Sequence, residues 1–178
     1  MSSTSLSVDA TTLLQQLRTL GGIGTDTVAG GRTRLALSDA DRDARDQLVQ
    51  WLRELDLDVR VDRIGNIFGV LRAATGTDQG DALMIGSHID SVRNAGALDG
   101  CYGVLSGLAV ARAYRSAGML PTRALVVAAF TNEEGVRYQP DMMGSLVHAG
   151  GLAVQAALDS RGIDGTRLGD ELTRIGYA

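Results

Sequence analysis

The sequence predicts an α/β fold, a mixed and largely parallel sheet flanked by helices. Three observations carry that expectation. First, Ala82-Leu83-Met84-Ile85 and Ala124–Phe130 are short, wholly apolar runs, the mark of strands buried on both faces. Second, the stretch from Gly100 to Ala117 between them reads as a helix, so the three segments form the strand–helix–strand pattern of a parallel crossover unit. Third, each apolar run ends in a polar cluster. Gly86-Ser87-His88-Ile89-Asp90-Ser91 follows the first and Thr131-Asn132-Glu133-Glu134-Gly135 follows the second.

The remaining elements follow from local pattern. Asp9 to Leu20 reads as a helix with Leu13, Leu14, Leu17 and Leu20 on one stripe, ended by Gly21-Gly22. Gly21 to Gly31 is glycine-rich, but it has no phosphate-loop spacing and no preceding strand. Ser38 begins a longer helix, and Ser38 with Asp41 has the spacing of a capping pair, Asp standing where Glu is usual. Ala40, Ala44, Leu48, Trp51, Leu52 and Leu55 form its core face. Val59–Val61 and Ile64–Leu71 read as paired strands with Gly65-Asn66 at or near a turn or bulge. Ala73 to Asp81 is a polar connection. In the crossover helix Val104, Leu105, Leu108 and Val110-Ala111 supply apolar mass, Gly103 and Gly107 permit close packing, and Gly118 with Pro121 marks its end. Beyond residue 135, Met142–Ala149, Leu152–Leu158 and Leu168–Ile175 suggest helices, with Asp159–Asp164 as a loop and Gly176 as a stop.

Bulk properties exclude several classes. The 178 residues suit one domain, with 44% hydrophobic and 21% charged residues. A net charge of −4 argues against a nucleic-acid partner, which calls for clustered Lys and Arg. The single cysteine, Cys101, allows no internal disulfide and points to a reducing compartment. Met1–Ser7 lacks the charged and apolar regions of a signal peptide, and no apolar run approaches the roughly 20 residues that cross a bilayer. The expectation is a cytoplasmic protein with no membrane partner.

If the two buried strands are parallel, both polar clusters lie at one edge of the sheet, where open α/β sheets place their ligands. Asp99, just before the crossover helix, lies there too. The topology then gathers one imidazole and four carboxylates from residues up to 46 positions apart. Neighbouring carboxylates repel and one would take up a proton. A divalent metal removes that conflict, and imidazole with carboxylates and no thiolate cage suits zinc, manganese or cobalt. Asp90, two residues from His88, is placed to accept the other imidazole N–H. Asp99 can bridge two metals. Of Glu133 and Glu134, one can bind metal while the other faces the attacking water. A lone histidine after a strand is more often structural, and adjacent glutamates usually form a solvated loop. Joint placement at two strand ends is what favours the metal reading. His148 lies outside the cluster and is read as a non-ligand. Cys101 has no nucleophile's partner and is read as a packed small residue.

These residues resemble a known family. GSHIDSV, LDGCYGVLSGLAVARAY and FTNEEGVRYQPDMMGS are similar to motifs of the zinc-dependent amidases, hydantoinases and carbamoylases, as are GGRTRLALSDADRDARD, DRIGNIFG and DGTRLGDELTRIGY. That family includes N-carbamoyl-L-amino acid hydrolases, allantoate amidohydrolases and beta-ureidopropionases, within a clan of two-metal exopeptidases. The resemblance runs from about residue 20 to the end. It implies two divalent metal ions, with His88 on one, Glu134 on the other and Asp99 bridging. It implies Glu133 as general base for metal-activated water, in hydrolysis of a non-peptide C–N bond of a small ureido or amide substrate, and Asp90 joins Glu133 as a catalytic candidate from its own place beside His88. It implies no further cofactor, and a homodimer for the full-length protein. Family members continue with a HIEQG-type segment, a lid and dimerisation domain and a further metal-binding histidine, so residues 1–178 are expected to be the N-terminal part of a catalytic domain incomplete at its C-terminus. Two rival readings stand beside this one. One is a dipeptidase or aminopeptidase of the same clan. The other is an inactive fragment that binds metal weakly or pairs with a complementary chain.

Overall fold

Asp9 opens the first helix, α1 (Ala10–Gly22), by accepting from the backbone N–H groups of Thr11 and Thr12. These are two of the donors that the first turn of any helix leaves unpaired. The computed structural model to which α1 belongs describes residues 5–26, 28, 30–74 and 82–178. The expected polar connection therefore lies outside the described residues from 75 to 81.

The second helix, α2 (Asp39–Glu54), starts where the Ser38–Asp41 spacing places it, with Ser38 Oγ accepting from the Asp41 N–H at 3.2 Å. The reciprocal half of the capping box does not form. Asp41 Oδ2 instead accepts from the Leu37 N–H and from Arg45 Nε, both at 2.8 Å. Arg45, one turn further on, claims the carboxylate and takes it into the core, where Asp41 and Arg45 are both buried. Ala44, Leu48, Trp51, Leu52 and Leu55 form the buried stripe as expected, joined by Val49, while Ala40 is only half-buried.

Four strands follow, β1 (Asp58–Val61), β2 (Ile67–Leu71), β3 (Leu83–His88) and β4 (Leu125–Phe130), in the order β1-β2-β4-β3. The sheet is mixed, as expected, but not largely parallel: the crossover helix accounts for one parallel pair, β3–β4, while the direct β1–β2 turn and the placement of β2 beside β4 make the other pairings antiparallel. The β1–β2 turn is organised by Asp62, whose Oδ1 accepts from the N–H groups of Ile64 and Asn66. Helix α3 (Cys101–Ser116) makes the crossover between β3 and β4. A Cβ at Gly103 would meet Ser87 Cβ at 2.9 Å, and one at Gly107 would meet the Ile85 carbonyl at 3.0 Å. These glycines let α3 lie directly on β3.

One strand departs from expectation. The run at 82–85 reads as buried on both faces, yet Leu83 is 58% and Met84 39% exposed. In this sheet β3 is an edge strand, so one flank has no neighbouring strand among the described residues. An apolar run reports hydrophobicity but not position within a sheet, and of the two apolar runs it is β4, in the interior of the strand order, that is buried from Leu125 to Ala129. The main core lies between the sheet and α1, α2 and α3, and includes Leu17, Leu48, Leu52, Ile67, Val104, Leu105, Leu108 and Val127. The opposite sheet face carries a small cluster of Val70, Ala124 and Val126 with Phe68.

Three short helices complete the described chain, α4 (Met143–His148), α5 (Val154–Leu158) and α6 (Leu168–Arg174). Buried Arg137 fastens this part to the rest, donating to the Ala36 carbonyl at 2.9 Å and to Glu171 Oε2 at 2.8 Å. No helix among the described residues is long and apolar enough to cross a membrane.

Candidate metal centre

The parallel register sets His88 opposite Phe130, so β3 and β4 end side by side. His88 is the last residue of β3. Glu133 and Glu134 follow β4 by three and four residues, and Asp99 precedes α3 by two. The crossover thus delivers all the candidates to one edge. One ligand atom each from His88, Asp99 and Glu134 lies within 4.8 Å of the others. His88 is buried, Glu134 half-buried and Asp99 exposed, so the group opens to solvent on the Asp99 side.

His88 has two distinct faces. Nδ1 lies 3.0 Å from the backbone carbonyl of Asp90, which accepts from it when that nitrogen carries the proton. The Asp90 carboxylate is further off, with Oδ1 at 3.7 Å. The sequence reading gave this role to the carboxylate, whereas the structure gives the closest approach to the carbonyl. Nε2 is then free to face the group, 3.8 Å from Asp99 Oδ1 and 3.3 Å from Glu133 Oε2.

The Asp90 carboxylate turns to the neighbouring loop, where it accepts from the N–H of Glu133 at 3.3 Å and of Glu134 at 3.4 Å. Complete burial pushes this carboxyl up to about 6, and the negative charge of Asp41 adds to the rise. His88 and the two N–H groups act the other way. Asp90 therefore joins the end of β3 to the end of β4.

The glutamate loop has its own support. Asn66 Oδ1 accepts from the Thr131 N–H at 2.8 Å, and Asn132 Nδ2 donates to the Tyr138 carbonyl at 2.9 Å. The N–H groups of Met142, Met143 and Gly144 donate to the carbonyls of Glu133, Asn132 and Thr131. Asn132 holds a φ of 52°. This backbone lets two successive glutamates present different atoms. Glu133 keeps a third of its side-chain surface in solvent. Glu134 Oε1 is buried and has no hydrogen-bond partner.

A cation fits these donors. A buried carboxylate oxygen without a partner is costly, and one imidazole with two carboxylates at this separation is a hard-to-borderline donor set.

Gly100 and two arginines shape the centre from below. Gly100 has φ 64° and ψ −50°, and the Cys101 N–H donates back to the Asp99 carbonyl at 2.6 Å. That is a tight three-residue turn of the strained kind. Arg32 and Arg34 are 2% and 0% exposed. Both donate to Cys101 Sγ, at 3.3 Å and 3.1 Å. Burial pulls the Arg34 guanidinium below its ordinary range, and the Cys101 sulfur opposes that. The sequence reading assigned these arginines no role. The available signal was their spacing, since two arginines at i and i+2 in an extended segment share a face. Cys101 is fully buried, as its reading as a packed small residue expects. His148 packs in tilted contact with Phe68 and Phe130, ring centroids 5.2 Å and 5.8 Å away, and is outside the group.

Comparison with known proteins was consistent across sequence and structure. An N-carbamoyl-L-amino-acid amidohydrolase of Rhizobium meliloti is 40% identical over 172 residues, covering 96% of this chain and 40% of that protein. Allantoate deiminase 1 of Glycine max is 37% identical over 124 residues, covering 68% of this chain and 25% of that protein. A hydantoinase/carbamoylase family amidase from Burkholderia ambifaria superposes with a TM-score of 0.92 at 39% identity, over 97% of this chain and 42% of that one. The chain spans about 40% of the length of the first of these curated relatives. The family described as peptidase family M28, a metal-dependent family, matches residues 66–159, which include every candidate ligand and more than half of the sequence. The chain belongs to peptidase family M28.

Proposed function

We propose that the protein is a metal-dependent hydrolase of non-peptide C–N bonds in small ureido or amide substrates, such as N-carbamoyl-L-amino acids. The observation that carries this reading is the convergence of His88, Asp99 and Glu134 within 4.8 Å, with a buried Glu134 oxygen that no donor satisfies. The substrate class rests on the N-carbamoyl-L-amino-acid amidohydrolase and allantoate deiminase relatives. In this reading His88, Asp99 and Glu134 would hold two divalent ions, zinc by preference with manganese or cobalt as substitutes. A divalent ion there supplies Lewis acidity, polarising a carbonyl and making water nucleophilic near neutral pH.

The chain's own groups do the rest. Glu133, partly open to solvent and 3.3 Å from His88 Nε2, takes the proton of the attacking water and returns it to the leaving nitrogen. Asp90 holds the backbone N–H groups of both glutamates, so that base and ligand keep separate directions. A carbamoyl substrate would leave as ammonia, carbon dioxide and the free amino acid. We place the protein in the cytoplasm, as a homodimer, without a nucleic-acid partner.

Two variants test the assignment. Glu133→Gln should keep its metal and lose roughly 10²–10⁴-fold in rate in the full-length enzyme. Glu134→Gln should lose metal, as read by elemental analysis of the purified protein. The reverse pattern would show the two roles exchanged. A peptidase reading is favoured by the family match itself. Dipeptides hydrolysed faster than N-carbamoyl amino acids would select it.

A further inference from the structure

We infer that Arg32 and Arg34 are positioning residues of the metal group, a buried strut that fastens the loop after His88 to the loop before α3 and so sets the distance between His88 and Asp99. The inference rests on the metal reading above. Its basis is where the two guanidiniums spend their hydrogen bonds. Arg34 Nε donates to the Ile89 carbonyl at 2.7 Å, one residue from His88. Its terminal nitrogens reach the Leu20 and Ile23 carbonyls at the end of α1, at 2.7 Å and 2.9 Å, and Cys101 Sγ. Arg32 works on the other loop. Its terminal nitrogens donate to the Ala97 carbonyl at 3.2 Å, the Asp99 carbonyl at 3.4 Å and Cys101 Sγ.

The backbone repeats the pattern. Arg32 and Ala95 exchange N–H···O bonds of 3.0 Å and 2.7 Å. The Ser91 N–H donates to the Arg34 carbonyl, and Ser91 Oγ accepts from the Arg34 N–H, both at 2.9 Å. Residues 32 and 34 of one extended segment thus each grip one ligand-bearing loop, and their side chains meet at Cys101 Sγ. A pair of buried guanidiniums is a costly way to satisfy carbonyls. Among the described residues the guanidinium hydrogen bonds of both go to carbonyls and to the Cys101 sulfur rather than to a carboxylate. What the arginines gain over lysine is a rigid planar fork that bonds several acceptors at fixed angles.

The strut makes a specific prediction about each arm. Arg32→Lys loosens the Asp99 side and Arg34→Lys loosens both, because Arg34 touches Ile89 as well as Cys101. Outer partners of this kind usually contribute roughly 10–100-fold in metal affinity.

The test uses the whole chain with two readouts. Amide hydrogen exchange in the presence of a chelator should speed up at 95–101 in Arg32→Lys, and at both 89–91 and 95–101 in Arg34→Lys. Cobalt titration should show binding weakened by about 10–100-fold in both, with an altered visible spectrum reporting changed ligand geometry. Leu52→Ala, destabilising but remote on α2, should leave the cobalt spectrum and affinity at wild-type values. Wild-type exchange in both loops of the arginine variants would overturn the strut, as would an equal affinity loss in Leu52→Ala. If the wild type takes up no cobalt, the metal reading fails, and exchange alone decides whether the arginines hold the loops. Should Arg34→Lys not fold, Arg32→Lys decides the case, since faster exchange confined to 95–101 is specific to its contacts.

Discussion

Gly100→Ala is the sharpest perturbation of the centre, because Gly100 serves it twice. Its φ of 64° and ψ of −50° suit glycine and strain any other residue. Holding an L-residue in such a region costs about 1–3 kcal/mol. The new methyl would also stand 2.5 Å from the His88 carbonyl and 2.6 Å from ring atoms Cε1 and Nδ1. Ordinary contact is about 3.5 Å, so His88 would have to move roughly 1 Å. Overpacking of this sort costs about 1–3 kcal/mol more. The total is roughly 2–6 kcal/mol of stability, a large share of what a domain has. The movement also falls on the one imidazole of the group. An error of 1 Å in a site is enough for roughly 10²-fold effects on function. The assay is urea unfolding in chelator, followed by cobalt titration of the folded variant. Gly100→Ala should unfold at clearly lower urea and bind cobalt at least about tenfold more weakly. Unchanged midpoint and affinity would refute both the strain argument and the placement of His88 against this turn.

Other expectations address the scaffold. Asp41→Ala strands the buried Arg45 guanidinium 2.8 Å from its lost partner, and should cost about 3–5 kcal/mol by denaturant titration. Leu83→Ser, at an exposed edge position, should change stability by no more than about 0.5 kcal/mol, whereas Leu125→Ala in β4 should cost about 2–5 kcal/mol. Asp164 is held down to about 2 by the Thr166 hydroxyl first and by Arg137 after it. Its folded-state value is depressed, so its contribution is present above the ordinary value of 3.8 and is lost as pH falls from there through about 2. Asp164→Asn should therefore flatten the stability profile between pH 4 and 2 and leave the slope above pH 5 alone, as checked by unfolding midpoints across that range.

The sequence made the site's raw material legible because chemistry and topology coincide there. His88, Asp99, Glu133 and Glu134 all follow or precede elements whose pattern is strong, and a parallel crossover leaves those ends only one edge to occupy. What stayed hidden depends on contacts across the chain. The exposure of Leu83 follows from β3's place at the edge of the sheet, which an apolar run does not encode. Asp90's choice of two backbone N–H groups over the imidazole depends on where the loop after β4 passes. Arg32 and Arg34 look like surface arginines beside a glycine-rich loop. Only the packing of that segment under α3 shows them buried. Asp41 has capping-pair spacing, but Arg45 at the next turn redirects its carboxylate.

The centre borrows its alignment from a ladder of backbone hydrogen bonds, since His88 stands level with Phe130 in the β3–β4 pairing. Side chains alternate across a strand with a period of two. Inserting or deleting a single residue within β3 would therefore swing the imidazole to the other face of the sheet, however well the rest of the fold survived. Point substitutions around the rim can vary what the pocket accepts in small steps. Changes of length inside 83–88 or 125–130 have no small steps and switch the centre on or off. Diversity among functional relatives should then accumulate as substitutions in these two segments, with insertions confined to the loops between elements.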